Sequence, residues 1–191
     1  EMGLEFCRLP VGANDYALGW YSYDETADDY ALEHFSVAHD RGYVLRFAKE
    51  ALARNPAICF FASPWSPPSW MKEPASYHGG RIRAEEKVLS AYARYLVKYV
   101  QAYAAEGVRV AAINPQNDNN YPTCVWSGEL IRRFIADYMG PAFEESGLGT
   151  EIWLGTINGT GTLGGFGSRY NEYTLTVLDD PAARRYIKGV M

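Results

Sequence analysis

Short apolar runs that stop abruptly at polar or aromatic loops, each loop giving way to helical periodicity, constrain this chain more than any other feature. Leu4 to Val11 reads as a strand broken at Pro10 and Gly12, and Ala57 to Ala62 as a compact apolar strand. Val108 to Asn114, Glu151 to Ile157 and the terminal Gly189-Val190-Met191 continue the series. Phe35 and Val37 suggest a short strand or turn. Between the strands, Tyr43 to Asn55 places Leu45, Ala48, Ala51 and Leu52 at helical spacing and ends at Asn55-Pro56. Arg83 to Glu106 predicts a long amphipathic helix whose inward stripe is Val88, Tyr92, Tyr95, Leu96, Tyr99, Val100 and Tyr103, with Gly107 as its C-cap. A further helix runs from Gly128 to about Glu145 with Ser127 as N-cap, and shorter ones cover Asn171 to Leu178 and Pro181 to Tyr186. Ser63 to Lys72 holds three prolines and two tryptophans and is expected to form no regular element.

Strands alternating with helices call for a parallel sheet with right-handed crossovers. The polar and aromatic residues cluster immediately after each strand, the face on which barrels build their sites, so a barrel is favoured over a doubly wound sheet. The expected fold is α/β, a partial (β/α)8 TIM barrel. Residues 1–191 are expected to form an incomplete barrel segment, because a complete one needs about 250 residues. The glycines of GTGTLGGFG, in the loop Asn158 to Gly167, match neither phosphate-binding spacing, so nucleotide binding is discounted.

Composition narrows the function classes. A formal charge of -5 with no basic stripe argues against nucleic acid. No stretch is long enough to span a membrane, and the opening EMGLEF has neither a basic segment nor an apolar h-region. Cys7, Cys59 and Cys124 lack metal-ligand spacing; the first two read as buried hydrophobes, while Cys124 lies in a loop where a disulfide to another segment stays open. Fifteen tyrosines and five tryptophans supply amphipathic rings of the kind that line polar ligand sites, although cores use them too.

The loops after the first three strands carry the chemistry. Asp15, in GANDYALGWYSYD, offers a carboxylate for two sugar hydroxyls or an Asx-turn, and Trp20, Tyr21 and Tyr23 offer a platform or packed aromatics. In SPWSPPSWMK, paired prolines hold Trp65 where a flat ring can meet the C–H face of a pyranose, whereas Trp70 reads as a plug over the rim. At the end of Val108 to Asn114, Asn117 offers an amide for a ring hydroxyl. Asp118 offers a carboxyl group that can lend a proton to a glycosidic oxygen and then deprotonate water. An Asx-rich turn is the structural alternative. His34, His39 and His78 have no nucleophile motif around them.

These loops resemble glycoside hydrolase family 30, which contains lysosomal glucosylceramidases, β-1,6-glucanases and related β-xylanases, β-xylosidases and β-fucosidases. LPVGANDYALGWYSYDE is similar to the family's strand-two segment, FASPWSPPSWMK to its Ser-Pro-Trp-Ser-Pro-Pro-Ala-Trp-Met-Lys, and INPQNDNNYP to its Gln-Asn-Glu-Pro at the end of strand four. LGTIN and DDPAARRYIKGV resemble the approach to strands five and six, so the likeness runs from Leu4 to Met191. It implies that Asp15, Trp65 and Asn117 bind the sugar whose bond is cleaved and that Asp118 is the catalytic acid/base.

The chain departs from the family pattern in two ways. Asp118 replaces the usual Glu, and Asn119 the usual Pro, pulling the proton donor back by roughly 1.5 Å. The nucleophile implied by the resemblance, a Glu after strand seven, lies beyond these residues, as do strand one and the flanking β-sandwich. Glu144 and Glu145, at a helix end, and Asp179 and Asp180, which read as caps, do not replace it.

The expectation is therefore a retaining β-glycosidase segment, inactive alone and completed by the rest of the barrel in the same or a second chain. It would act on a β-linked oligosaccharide, polysaccharide or glycolipid without cofactor or metal. The resemblance implies a secreted, periplasmic or lysosomal setting. The rival expectations are a glycan-binding relative and a structural one.

Overall fold

A computed structural model describes residues 3–118, 123–155 and 171–191. In chain order, β1 (Phe6–Val11) leads through a 3-10 turn (Ala38–Gly42) to α1 (Val44–Arg54) and β2 (Cys59–Pro64). A 3-10 turn (Ser69–Met71) and a two-stranded hairpin, β3 (Lys72–Glu73) with β4 (Arg81–Ile82), precede α2 (Glu86–Ala105) and β5 (Val110–Ile113). Then come α3 (Gly128–Phe134), a π turn (Ile135–Met139), α4 (Gly140–Ser146) and β6 (Glu151–Leu154). A second π turn (Asn171–Leu175), α5 (Thr176–Leu178), α6 (Pro181–Arg184) and β7 (Ile187–Val190) complete the order.

The main sheet runs β1-β2-β5-β6-β7, every adjacent pair parallel. Strand order therefore follows chain order without the reversal that defines a doubly wound sheet, which is the arrangement of a barrel arc. Inside the arc, Phe6, Phe61 and Trp153 make one aromatic layer. Their ring centroids lie 5.1 Å (Phe6–Phe61), 5.7 Å (Phe6–Trp153) and 5.9 Å (Phe61–Trp153) apart. Among the described residues the outer strands β1 and β7 close no further pair, and apolar Leu4, Phe6, Val190 and Met191 are exposed beside those edges.

Every residue of the stripe expected on α2 is buried. Its tyrosines do more than fill space, because each buried hydroxyl needs a partner. Tyr103 donates to Asp40 Oδ2 at 2.6 Å, Tyr99 to the Pro10 carbonyl at 3.4 Å and Tyr92 to the Pro115 carbonyl at 3.3 Å, while Tyr95 accepts from the Tyr23 amide at 3.1 Å. Burial holds all four phenols well above their ordinary pKa, so they stay neutral.

The same network corrects the expectation of a platform at Tyr21 and Tyr23. Both hydroxyls donate to Asp40, at 2.7 and 2.6 Å, and Tyr23 stacks against Tyr95 and Tyr99. Their rings are structural because the fully buried Asp40 needs donors and α2 presents a tyrosine wall.

Other differences have local causes. Phe35 and Val37 form neither a strand nor a turn but an irregular stretch leading to the 3-10 segment. Ser63 to Lys72 is more regular than expected, with β2 continuing to Pro64 and a 3-10 turn at Ser69–Met71. The helix starting at Gly128 is continuous to Ser146 but widens into a π turn just before Pro141, a residue with no N–H for an α-helical bond. Ser127 caps its start, accepting from the Leu130 amide at 3.1 Å, and Gly107 closes α2 with φ +79°. Cys124 is fully buried, and burial pushes its thiol up to about 11, which makes it a core residue rather than one poised for an external disulfide. Cys7 and Cys59 are half-buried, at the beginnings of β1 and β2.

Asp40→Ala leaves three tyrosine hydroxyls without their acceptor at once, those of buried Tyr23 and Tyr103 and of half-buried Tyr21. It is expected to cost about 3 kcal/mol or more, measured as the shift in a urea unfolding midpoint at constant slope.

Candidate active site

The loop after β5 is fastened to the end of β2 by backbone and amide groups. The Asn114 amide donates to the Ala62 carbonyl at 2.8 Å, and the Asn117 amide to the Pro64 carbonyl at 2.7 Å. Between them, the Gln116 side chain donates to the Trp65 carbonyl at 2.9 Å and accepts from the Trp126 indole at 3.1 Å. Ser63 donates to Asn114 Oδ1 at 2.6 Å, and Asn114 Nδ2 donates to the Trp153 carbonyl at 2.9 Å, carrying the chain of contacts to β6. Asn114 and Gln116 are fully buried, where an unpaired amide would be costly, so these bonds fix the loop's path.

On that frame, Trp65 and Asn117 meet at one residue that the sequence reading passed over. Arg8 of β1 donates from its guanidinium to Asn117 Oδ1 at 3.0 Å and lies 4.7 Å from the centroid of the Trp65 ring. A cation inside an otherwise apolar strand was the available signal. Its partner is 109 positions away, so spacing alone gave no reason to single it out. Both Trp65 and Asn117 are buried, and Asp118 follows half-buried on the same loop.

Asp15 is not drawn into this group by any hydrogen bond or ion pair among the described residues, and it is exposed. The Asx-turn there belongs to Asn14, whose Oδ1 accepts from the Tyr16 amide at 2.9 Å. Trp70 is the plug expected of it, buried with its indole donating to the Asp24 carbonyl at 3.0 Å. Trp20 stays half-exposed and stacks on Tyr77. Of the histidines, His34 pairs with Asp29, His39 stacks on Tyr21 and His78 meets the edge of Trp20.

The acids set aside as replacement nucleophiles have other duties where their contacts are described. Asp180 caps α6 and pairs with Arg132, while Glu144 pairs with Arg185. Asn119 and the loop Asn158 to Gly167 lie outside the described residues. Among the described residues there is no cluster of potential metal ligands, and no helix is long and apolar enough to cross a membrane.

Lys72 ties together the loops around the site. Its buried ammonium donates to Ser66 Oγ at 3.0 Å, to the Tyr77 carbonyl at 3.1 Å and to the Thr123 carbonyl. One cation thus ties the loop after β2, the hairpin turn and the loop after β5. Burial lowers its pKa to about 8.

A strand arc with its polar cluster at the strands' C-terminal ends is where (β/α)8 enzymes carry their chemistry. The model of the glycosyl hydrolase family 30 TIM-barrel domain matches residues 1–191. The chain belongs to glycosyl hydrolase family 30.

Within that family it is 32% identical over 142 residues to the endo-1,6-beta-D-glucanase of Neurospora crassa, covering 70% of this chain and 30% of that protein. It is 28% identical over 203 residues to the lysosomal acid glucosylceramidase of Mus musculus, covering 98% and 38%. The solved structure of the endo-beta1,6-glucanase BT3312 superposes with a TM-score of 0.82 at 28% identity, over 98% of this chain and 42% of that one. The chain thus spans less than half the length of the family 30 relatives it matches, and the parallel arc is a partial family 30 barrel.

The lowered pKa of Lys72 sets a sign for pH dependence. Below about pH 8 the ammonium is charged in both folded and unfolded chains, and its burial cost is fully present. Between about 8 and the ordinary lysine value of 10.5 the unfolded chain binds more protons, so this group's contribution to stability rises with pH. In paired denaturation series, stability of the parent minus that of Lys72→Met is expected to increase across this window; a flat or falling difference would contradict the assignment.

Proposed function

We propose that the protein carrying this chain is a retaining β-glycoside hydrolase, with Asp118 as its general acid/base. The cluster of Arg8 within β1 with Trp65 and Asn117, which follow the ends of β2 and β5, carries this reading. Asp118 is the next residue on a loop whose path is fixed by hydrogen bonds.

In this reading Arg8 holds the Asn117 side-chain oxygen and so fixes the amide beside Trp65, where it meets a sugar hydroxyl. Trp65 supplies an apolar surface for the pyranose ring, and Asp15 reaches outer hydroxyls from its exposed turn. Asp118 protonates the glycosidic oxygen as a second carboxylate attacks the anomeric carbon. The departing alcohol is then replaced by water, which Asp118 deprotonates as the glycosyl–enzyme bond breaks, so the configuration is retained. The attacking carboxylate comes from the remainder of the barrel, in the same or a second chain, whose strands also cover the open edges at β1 and β7. No step in this double displacement calls for an organic cofactor or a metal.

The substrate class is a β-glucoside or related β-glycan: an oligosaccharide, polysaccharide or glycolipid. The printed names of the relatives, a glucosylceramidase and endo-1,6-glucanases, support that range. A secreted, periplasmic or lysosomal site of action goes with this proposal. Asp118 in place of the family's Glu favours one rival, a relative that binds glycans without turning them over.

The test is Asp118→Asn in the native protein, assayed on aryl β-glycosides. Loss of at least about 100-fold in kcat, deepest for poor leaving groups and relieved by added azide with formation of a β-glycosyl azide, is the expected result. Unchanged turnover would remove Asp118 from the mechanism. Glycan binding without turnover in the parent protein would assign the rival reading.

A further inference from the structure

Asp118 stands on a loop that is anchored on both sides. On the near side the Asn117 amide donates to the Pro64 carbonyl at 2.7 Å. On the far side the Val125 amide donates to the Gly80 carbonyl at 2.8 Å, and the Thr123 carbonyl accepts from the Lys72 ammonium. The same ammonium donates to Ser66 Oγ at 3.0 Å, next to Trp65, and to the Tyr77 carbonyl at 3.1 Å. Lys72 therefore joins the far anchor of the acid-bearing loop directly to the loop that presents Trp65.

The match of donors to acceptors makes this tie depend on a proton. An ammonium has three N–H bonds, and Lys72 meets three oxygens with them. A neutral amine keeps two N–H bonds and gains a lone pair. The carbonyls of Tyr77 and Thr123 can only accept, and Ser66 already donates its proton to the Pro67 carbonyl at 2.8 Å. Deprotonation thus loses a bond, either at Lys72 or at Pro67. The bonds that remain lose the charge assistance that makes such contacts roughly twice as strong as neutral ones.

Among the described residues, the ionisable group that acts on Lys72 is the Cys124 thiol, which burial pushes up to about 11 and so keeps neutral at lower pH. On the hairpin turn the Tyr77 phenol is bonded to Glu25, and His78 meets the edge of Trp20. The groove outside Lys72 is lined by Glu73, Glu85 and Glu129 together with Arg81, Arg83 and Arg133, so acids and bases balance there. Burial dominates and lowers the Lys72 pKa to about 8.

We propose that Lys72 is a positioning residue for the general acid, holding the Asp118 loop against the Trp65 loop, and that it does so fully only when protonated. The proposal rests on the reading of Asp118 as acid/base and adds a pH limit to it. Its signature is a pair of opposite trends. Between about pH 8 and 10.5 loss of the proton relieves the burial cost, so this group's contribution to stability rises. Over the same range the Asp118 loop loses a tie, so catalysis falls. A lysine serving the fold alone would give no fall in activity where stability rises.

The experiment measures kcat/KM of the native protein, Lys72→Met and Lys72→Arg on a phenyl β-glycoside and on its 2,4-dinitrophenyl counterpart, whose leaving group departs without a proton. At neutral pH Lys72→Met is expected to lose about tenfold on the phenyl glycoside and no more than about twofold on the other, because the loss acts through the acid. The ratio of parent to Lys72→Met on the phenyl glycoside is expected to fall about threefold as pH rises from about 7 to about 9.5; ionisations common to both proteins cancel in the ratio. Lys72→Arg keeps its charge throughout and is expected to retain at least about a third of parent activity at neutral pH. The parent-to-Lys72→Arg ratio falls by the same factor, and this comparison decides where Lys72→Met does not fold.

Ratios that stay flat with pH, or equal losses on the two glycosides, would overturn the positioning role. Impairment of Asp118→Asn on the phenyl glycoside, with both Lys72 variants matching the parent at every pH, keeps the hydrolase reading and removes this inference alone. A parent that turns over neither glycoside removes both.

Discussion

The fastening of the β5 loop to the end of β2 is the constraint on which the rest of the site depends. Two backbone amides, those of Asn114 and Asn117, extend the sheet's hydrogen bonding past its last regular residue, and the Gln116 side chain completes the seam. In a parallel sheet the strand ends all face the same way, so a loop that continues the pairing must emerge above its neighbour. That places Asn117 over Pro64 and within reach of both Trp65 and Arg8. Buried amides pay no penalty only when both ends are bonded, and Gln116 achieves this by accepting from Trp126. The segment is polar because it frames the strand ends.

Two buried charged side chains extend the same logic to the surrounding loops. Asp40 collects three tyrosine hydroxyls, two from the loop after β1 and one from α2, and so joins the rim of the arc to its longest helix. Lys72 does the converse with acceptors, drawing in Ser66, Tyr77 and Thr123. An isolated buried charge is costly, and a hydrogen-bonded one holds a single geometry because every displacement unpairs something. Loops joined in this way act as rigid supports for Trp65 on one side and Trp20 on the other.

Much of the architecture was legible because its signals are local. Parallel strands buried on both faces read as apolar runs, α2 displays its inward stripe at helical spacing, and prolines mark the loop that carries Trp65. Residues whose roles depend on a distant partner were not legible. Arg8 takes its meaning from Asn117, Tyr21 and Tyr23 take theirs from Asp40, and Lys72 looks like any loop lysine until Thr123 is placed beside it. The tyrosine surplus misled for the same reason: composition counts rings, whereas only the fold says that the α2 tyrosines face inward and Trp20 faces a cavity. The π turn was hidden as well, since Pro141 announces a local irregularity without saying whether the helix stops or widens.

Asp118 turns these structural facts into a question of reach. An aspartate stands roughly 1.5 Å short of a glutamate, and misplacing a catalytic group by about an ångström can cost on the order of 100-fold in rate. A flexible loop could absorb the deficit by moving, but this loop is held at Asn114, Gln116 and Asn117 in succession. Under the proposed mechanism the substrate is then the part left to adjust, and binding energy from its non-reacting parts can be spent on bringing the glycosidic oxygen to the shorter carboxyl group.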